Sequence, residues 1–460
     1  MSIRNMLNIG RHALGAYQGA IQQTSQNAAN VGTPGYSRRR GTLSSLGQGT
    51  VPAGVQYSDP RRVVDRLSNA SVRRARADAG MHRGREAALT TVESIVAPGD
   101  NGLAGRLDAL FNSFQRLASK PGGDAERRGV VQAAESFAQD LRGARAQLNE
   151  LQQPLTGLAN DQILTINRLS EQVAHLNNGI RDAEANGSEA SDLRDERDRL
   201  LDELSGQAGT RIVENKDGTV TVSLRSGQAL VSSDSHYNLG TREVDGELRL
   251  TLSDDDGRPS LLLPTDASGG EIAGVLQARN EDVGGAIREL DEIAYGLAQG
   301  LNALHREGFG LDGSTGRDFF VVPDEIDGAA GSITINSELR DNPDLIAATR
   351  HADRLPGGSD LTLDLAGLRA TPLDDLGGKT VEERLSDLQV GIGQSLSAVR
   401  DDLTASENQE ATFSSIREST RGVNLDEEMT DLIQFQRGFQ AAGRVVRAAD
   451  EMMEEVLSLI

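Results

Sequence analysis

No cysteine occurs among the 460 residues, and the six histidines (His12, His82, His175, His236, His305 and His351) are scattered along the chain. Thiolate catalysis, disulfides and cysteine-ligated metals are therefore excluded. Neither H-E-x-x-H nor G-x-S-x-G is present, so no paired-histidine zinc site and no nucleophile elbow can be read. Three stretches imitate ligand-binding motifs. "GFGLDG" (308–313) has the spacing of a dinucleotide loop. A helical pattern precedes it and "STGRDFF" follows, whereas that loop needs a strand before and a helix after. "GGKT" (377–380) has the tail of a phosphate loop, but the first glycine would fall on Leu373. "DDDG" (254–257) would place Leu252 at the first calcium ligand, and no glutamate closes the loop. The three read as a loop, a helix cap and a solvated turn, and no catalytic, cofactor or metal residue is assigned.

Charge offers the next chemistry. Residues 1–85 hold thirteen arginines, no lysine and three acids, a balance of +10 within a chain of −22, so the remainder carries −32. The densest stretch contains Arg61, Arg62, Arg66, Arg73, Arg74, Arg76, Arg83 and Arg85. It has no interleaved aromatic residue and overlies an apolar helical seam (Val63, Leu67, Ala70, Ala77, Met81). With most of the surface acidic, phosphate binding is opposed. The stretch reads as an ion-paired helix face, with no nucleic acid partner.

What must position these residues is mostly helix. Hydrophobic residues make up 37% and aromatics 3%, which points to thin cores and helix-on-helix packing over several domains. Ile3, Leu7, Gly10, Leu14, Tyr17, Ile21, Thr24, Ala28 and Val31 step by four and three, the spacing of a heptad seam. Gly32 can cap the helix in a left-handed conformation, and Pro34 cannot continue it. At the other end, Asn424 caps a helix with Glu427 as reciprocal partner. Leu425, Leu432, Phe439, Val446, Met453 and Ile460 then recur every seven residues. Phe435, Ala442, Ala449 and Val456 fill the second seam position, with Glu428 its one polar member.

From His12 to Ser37 there is no Asp, Glu, Lys or Arg. The outer face there carries Gln18, Gln22, Gln23, Gln26, Asn27 and Asn30. Such a face suits packing against other protein surfaces, where amides pair without burying charge. No stretch approaches the ~20 apolar residues of a membrane-spanning helix, so membrane insertion is not expected. The N-terminus lacks the pattern of a secretory signal peptide. The reading is a cytosolic chain or one exported by another route.

Between the ends, 63–96 and 103–118 read as helices, and a longer tract covers about 125–205, interrupted near Pro154 and at 184–192. "RIVENKDGTVTVSL" (211–224) is a hairpin about Lys-Asp-Gly. Short strands follow at "ELRLTL", "SLLL", "DFFVV" (318–322) and "SITI" (332–335), around a helical stretch at about 271–306. Thr380 and Glu383 open a helix reaching about 418. The fold class is mainly α with an inserted β-rich domain. The terminal helices, 1–60 with 419–460, pair as a coiled-coil layer; 61–205, 271–306 and 378–418 form a helical body; and 206–270 with 307–377 form the β-rich part.

"NAANVGTPGYSRRR", "NLDEEMTDLIQFQRGFQAAGRVV" and heptads at both ends resemble the flagellar axial proteins, the rod, hook and junction components of the bacterial flagellum. Asn27, Asn30, Thr33, Pro34, Gly35 and Tyr36 carry the family motif, with Ala28 where that family usually has Ile. "GVQYSDPRRVVDRLSNASVRRA", "LRDERDRLLDELSG" (193–206), "GGEIAGVLQARNE" (269–281) and "SITINSELRDNPDLIAAT" (332–349) are similar to the junction components in particular. The resemblance implies a non-enzymatic structural subunit without cofactor, placed outside the cell and exported through the flagellar type III pathway without a cleaved signal. It implies the terminal helices as an inner tube, with the body outside them and the β-rich part outermost. The implied partners are further copies of the chain, hook protein, the next junction protein toward the filament, and a cytosolic export chaperone on the C-terminal helix. The charge-free face either lines a channel or packs between subunits. Two rivals are a hook or distal-rod subunit and a soluble enzyme whose site only folding would assemble.

Overall fold

The computed structural model describes residues 3–46, 54–97, 99, 102–185, 187–253 and 261–458. Helix α1 (Ile3–Ala29) leads into strands β1 (Arg39–Arg40), β2 (Leu43–Leu46), β3 (Gly54–Tyr57) and β4 (Arg61–Arg62). Helices α2 (Arg66–Val96), α3 (Leu103–Ser119), α4 (Asp124–Glu184) and α5 (Ser191–Ala208) follow. The β segment comprises β5 (Arg211–Glu214), β6 (Val220–Ser223), β7 (Ala229–Ser232), β8 (Ser235–His236), β9 (Asn238–Val244), β10 (Glu247–Ser253) and β11 (Leu261–Leu262). Then come α6 (Gly270–Gln277), a π-helical turn at Ala278–Val283, and α7 (Gly284–Arg306). Next are β12 (Phe320–Val321), α8 (Ala329–Ser332), β13 (Thr334–Ile335), α9 (Ser337–Asp341) and α10 (Asp360–Gly367). Helices α11 (Val381–Arg421) and α12 (Leu425–Ser458) end the chain.

The body is a helical bundle with one contiguous apolar core running from Ala88 to Ile392. Helix α4, 61 residues and about 92 Å long, is its spine. The expected interruption at Pro154 does not occur: the helix passes through it. Proline removes one backbone bond and costs about 3 kcal/mol, but Leu148, Leu155 and Ala159 are buried on both sides of it, and that packing holds the helix through the defect. Helices α2 and α11 run antiparallel, with Arg83 on Glu407, Arg76 on Glu410 and Arg400 on Glu86. The capping box of Thr380 and Glu383 opens α11 as the spacing predicts. Gly274 of α6 lies against the Met81 carbonyl of α2, where a Cβ would stand 2.0 Å from that oxygen, so only glycine permits this crossing.

Strands β5–β11 form two antiparallel ladders, β5-β6-β7-β8 and β11-β10-β9, and β1-β4, β2-β3 and β12-β13 are two-stranded pairs. The Lys-Asp-Gly turn sits where predicted, with Gly218 at φ 82° and Glu214 opposite Val220. The ladders meet the helices through asparagines that stand in for a neighbouring strand. Asn167 pairs with both the N–H and the C=O of Leu239, at 2.8 and 2.9 Å. Asn177 does the same for Val220, Asn280 for Leu248, and Asn302 donates to the Phe320 carbonyl while accepting from its N–H. Each closes backbone groups that would otherwise be buried unpaired. The stretch 307–377, expected to be β-rich, holds only the two-residue strands β12 and β13 among short helices. Phe319 and Phe320 are adjacent and both buried, whereas Val321 is 51% exposed, so only the two phenylalanines of "DFFVV" belong to the core. The acidic turn 254–257 lies outside the described residues.

Candidate assembly interface

Helices α1 and α12 pack on each other antiparallel. Gly10 lies against Val446, where a Cβ would come within 2.5 Å of its Cγ2, and the Tyr17 ring lies over Gly438 at the same distance. Asn27 meets Glu428. The two glycines let the axes approach: each receives a bulky side chain from the opposite helix. Gly443 has open space instead. Ile3, Leu7, Leu14, Tyr17, Ile21 and Ala28 are half-buried, and Val31 lies beyond the helix end, exposed. On α12, Ala442 and Ala449 are buried, whereas Leu432, Phe435, Val446 and Met453 are half-buried. Leu425, Phe439 and Val456 are exposed, and Ile460 lies outside the described residues. The seam thus closes on its α1-facing strip alone, and the seven-residue series takes both half-buried and exposed positions along α12.

The buried polar position at Glu428 is the centre of a clasp. Its side chain, 2% exposed, accepts a hydrogen bond from Asn27 Nδ2 at 3.1 Å and forms an ion pair with Arg38 Nε at 2.7 Å. Asn27 also donates to the Arg39 carbonyl at 2.9 Å, and its Oδ1 accepts from Tyr36 Oη at 2.9 Å, Arg39 N at 3.2 Å and Gln23 Nε2 at 3.2 Å. Arg38 further bonds Glu427 at 2.6 Å. Burial would lower the Arg38 pKa, but Glu427 and Glu428 raise it above its ordinary value. Glu427 is therefore spent on Arg38, and the reciprocal helix cap expected of it does not form; Asn424 caps α12 by itself, accepting from Asp426 N. Removing one partner from such a buried pair costs about 3–5 kcal/mol because the other charge is left unpaired.

The motif after α1 builds this clasp. Asn30 Nδ2 bonds the Gln26 carbonyl and Asn30 Oδ1 receives Thr33 Oγ1, which ends the helix. Tyr36 N then bonds the Thr33 carbonyl across Pro34 and Gly35, with Gly35 at φ 84°, the geometry of a type II turn. The left-handed glycine is thus Gly35, not Gly32 as the spacing suggested, because the helix stops at Ala29 and the reversal falls at Pro-Gly. Gln23 and Asn27, expected on the outer face, are buried with Thr24. Part of the uncharged face is also covered by the β2–β3 hairpin, whose Tyr57 lies on Gly19 and donates no charge to it. What remains exposed of the uncharged part of α1 is His12, Gly15, Gln18, Gln22, Ser25, Gln26 and Ala29.

Beyond the clasp, strands β1 and β4 pair with Arg39 opposite Arg62 and Arg40 opposite Arg61. Alternation sends Arg38 to α12 and Arg39 to α5. Helix α5 presents Asp192, Asp195, Asp198 and Asp202, which bind Arg39, Arg62, Arg73 and Arg417. Burial lifts Asp195 above the ordinary carboxylate value, whereas Asp198, although buried, is held below it by Arg62 and Arg73. Much of the basic N-terminal segment is therefore paired within the chain, with Arg66 on Glu214 and Arg85 on Asp282 as well, whereas Arg61 and Arg74 of the expected ion-paired face make no ion pair among the described residues. Sequence reading missed the acidic row, the hairpin and the two contact glycines. The i, i+3, i+6, i+10 spacing of aspartates in "DLRDERDRLLDELSG" (192–206) was the available signal for the row.

Chain-terminal helices paired through an N-x-x-N-x-x-T-P-G-Y turn, on a helical body with an inserted β segment, define an axial structural subunit of the bacterial flagellum. Residues 419–459 match the family described as flagellar basal body rod FlgEFG protein C-terminal, shared by such subunits. Residues 89–320 match flagellar hook-associated protein FlgK helical domain, and the chain belongs to that family, a structural one and not a family of enzymes. It is 26% identical to flagellar hook-associated protein 1 of Bacillus subtilis over 98% of this chain and 97% of that one. It is 23% identical to the protein of the same name from Salmonella typhimurium over 99% and 100%. Among solved structures it resembles the flagellar hook junction protein FlgK from Burkholderia pseudomallei, with a TM-score of 0.51 and 25% identity over 55% of this chain and 47% of that one.

Proposed function

We propose that this chain is a junction subunit between hook and filament that polymerises through its terminal helices. The observation that carries this reading is the unfinished burial of α12: Leu425, Met429, Ile433, Val445, Met452 and Val456 stay exposed beside the α1 seam. Exposed apolar side chains at this density mark a surface that another protein covers. The uncharged strip of α1 from Gly15 to Ala29 supplies the complementary face, since its amides can be buried without unpaired charge. Further copies of the chain cover the flanks of α12, hook protein contacts one end of the assembled subunits, and the next junction protein toward the filament contacts the other. Before assembly the same flanks require a cytosolic export chaperone, and the chain reaches the cell exterior through the flagellar type III pathway. On this reading the terminal pair is the inner layer, the helical bundle lies outside it, and the β segment is outermost. Electron microscopy of a deletion strain tests the assignment. Intact hooks without filaments, restored by the wild-type chain, are the expected result; missing or truncated hooks would reassign the chain to the rod or hook.

A further inference from the structure

The apolar core that runs from Ala88 to Ile392 includes none of the described residues of α1, β1–β4 or α12. The terminal helices are joined to the body by polar contacts of the β1–β4 ribbon, most of them on α5, with Arg38 N also donating to the Arg421 carbonyl at 2.8 Å and Arg62 N to Glu189 at 3.1 Å. Arg62 lies 2.8 Å from Asp195 and bonds Asp198, while Arg39 bonds Asp192 and lies 3.7 Å from Asp195. Ser37 N donates to Asp195 at 3.2 Å. These are buried charges: the Arg62 side chain is 4% exposed and that of Asp195 11%. A charged interface of this kind has no adjacent register of similar energy, because a shift leaves desolvated charges unpaired. An apolar interface could slide; this one is either seated or open.

Opening is made easy by a second feature. Asp198 is also bound by Arg73 of α2 at 3.0 Å, and Asp202 by Arg73 and Arg417 at 2.7 and 2.6 Å. The inner part of the acidic row therefore keeps body arginines when the ribbon leaves. The departing Arg39 and Arg62 regain water, which offsets the attraction they lose. An open cleft of about 290 Å³ beside the contact, lined by Gln23, Arg39, Pro60, Glu189, Asp192 and Leu193, gives that water a route.

We propose that the ribbon and α5 form a two-position latch. Seated, it fixes the angle between the terminal helices and the body; released, the terminal part swings about the two covalent crossings at 63–65 and 422–424. The chain has no cysteine, so two introduced ones are unique labels. Arg61→Cys on the solvent side of the ribbon and Glu171→Cys on the exposed face of α4 carry spin labels for pulsed-EPR distances on the full-length chain. The parent should show one narrow distance. Arg39→Gln with Arg62→Gln, which leaves the body row intact, should raise a second, longer population at least tenfold, and Asp192→Asn, whose carboxylate is 88% exposed, should not. If the arginine pair folds poorly by circular dichroism, Asp195→Asn gives the same comparison. A single unchanged distance in a folded latch variant, or no defined distance in the parent, overturns the proposal.

Discussion

His305 shows how one side chain can be fixed by two backbone groups. Its Nδ1 donates to the Arg317 carbonyl at 2.8 Å and its Nε2 accepts from Ala347 N at 3.0 Å, so only the neutral tautomer satisfies both. Burial pushes its pKa down from 6.5 to about 4. Between those values the unfolded chain binds a proton that the folded chain refuses. Stability from this group is complete above about pH 6.5, falls as pH drops toward 4, and levels off below; the total is roughly 3 kcal/mol. Urea unfolding of wild type and His305→Gln, which keeps a donor and an acceptor, should show wild type losing more stability between pH 7 and 4. Parallel losses in the two proteins would remove His305 from the account. Asn27 and the asparagines at 167, 177, 280 and 302 follow the same logic, each pairing buried groups that water can no longer reach.

Helix α12 is an element with one closed face and two open flanks. Phe439 belongs to the seven-residue series, yet it is 38% exposed, so a charge there costs the isolated chain little. Its cost appears when a neighbour covers the flank and the carboxylate is desolvated without a partner, several kcal/mol in every subunit. Phe439→Asp should therefore leave thermal unfolding of the purified chain within about 0.5 kcal/mol of wild type and abolish complementation of a deletion strain, scored by motility and filaments on hooks. Lys216→Glu, at the exposed turn before β6, should complement normally. Normal filaments with Phe439→Asp would show that this flank is not an assembly contact.

At the scale of the molecule, the body carries the apolar core and the ends do not. Helix α1 has no acid in its first turn and no base in its last, and α12 has no base in its last turn, so the helix dipoles are uncompensated where fraying begins. Their shared strip buries two alanines of α12 fully and mostly half-covers the larger side chains. Helices α1 and α12 should exchange amide hydrogens rapidly in the monomer, while the β1–β4 ribbon stays seated and α4 is protected to the global limit. Assembly should then slow exchange at both ends. Strong protection there in a verified monomer would mean that the α1–α12 pair is stable without neighbours.

Local periodicity and turn chemistry determined a great deal here. The heptads at Ile3–Val31 and Leu425–Ile460, the Thr380–Glu383 box and the Lys-Asp-Gly hairpin are short-range patterns, set by side-chain spacing and backbone preference within a few residues. The residue motif from Asn27 to Tyr36 likewise marked the family before any fold was known. The destination of each charge was not legible, because ion pairs such as Arg38 with Glu428 or Arg417 with Asp202 join residues hundreds of positions apart. Pro154 read as a break and lies inside α4, since packing on both sides outweighs one lost hydrogen bond. Gln23 and Asn27 read as outward-facing and are buried, because amides suit water and a clasp equally and only the arrival of Arg38, Tyr36 and Glu428 decides between them. Tertiary structure settled whatever depended on which distant partner arrived.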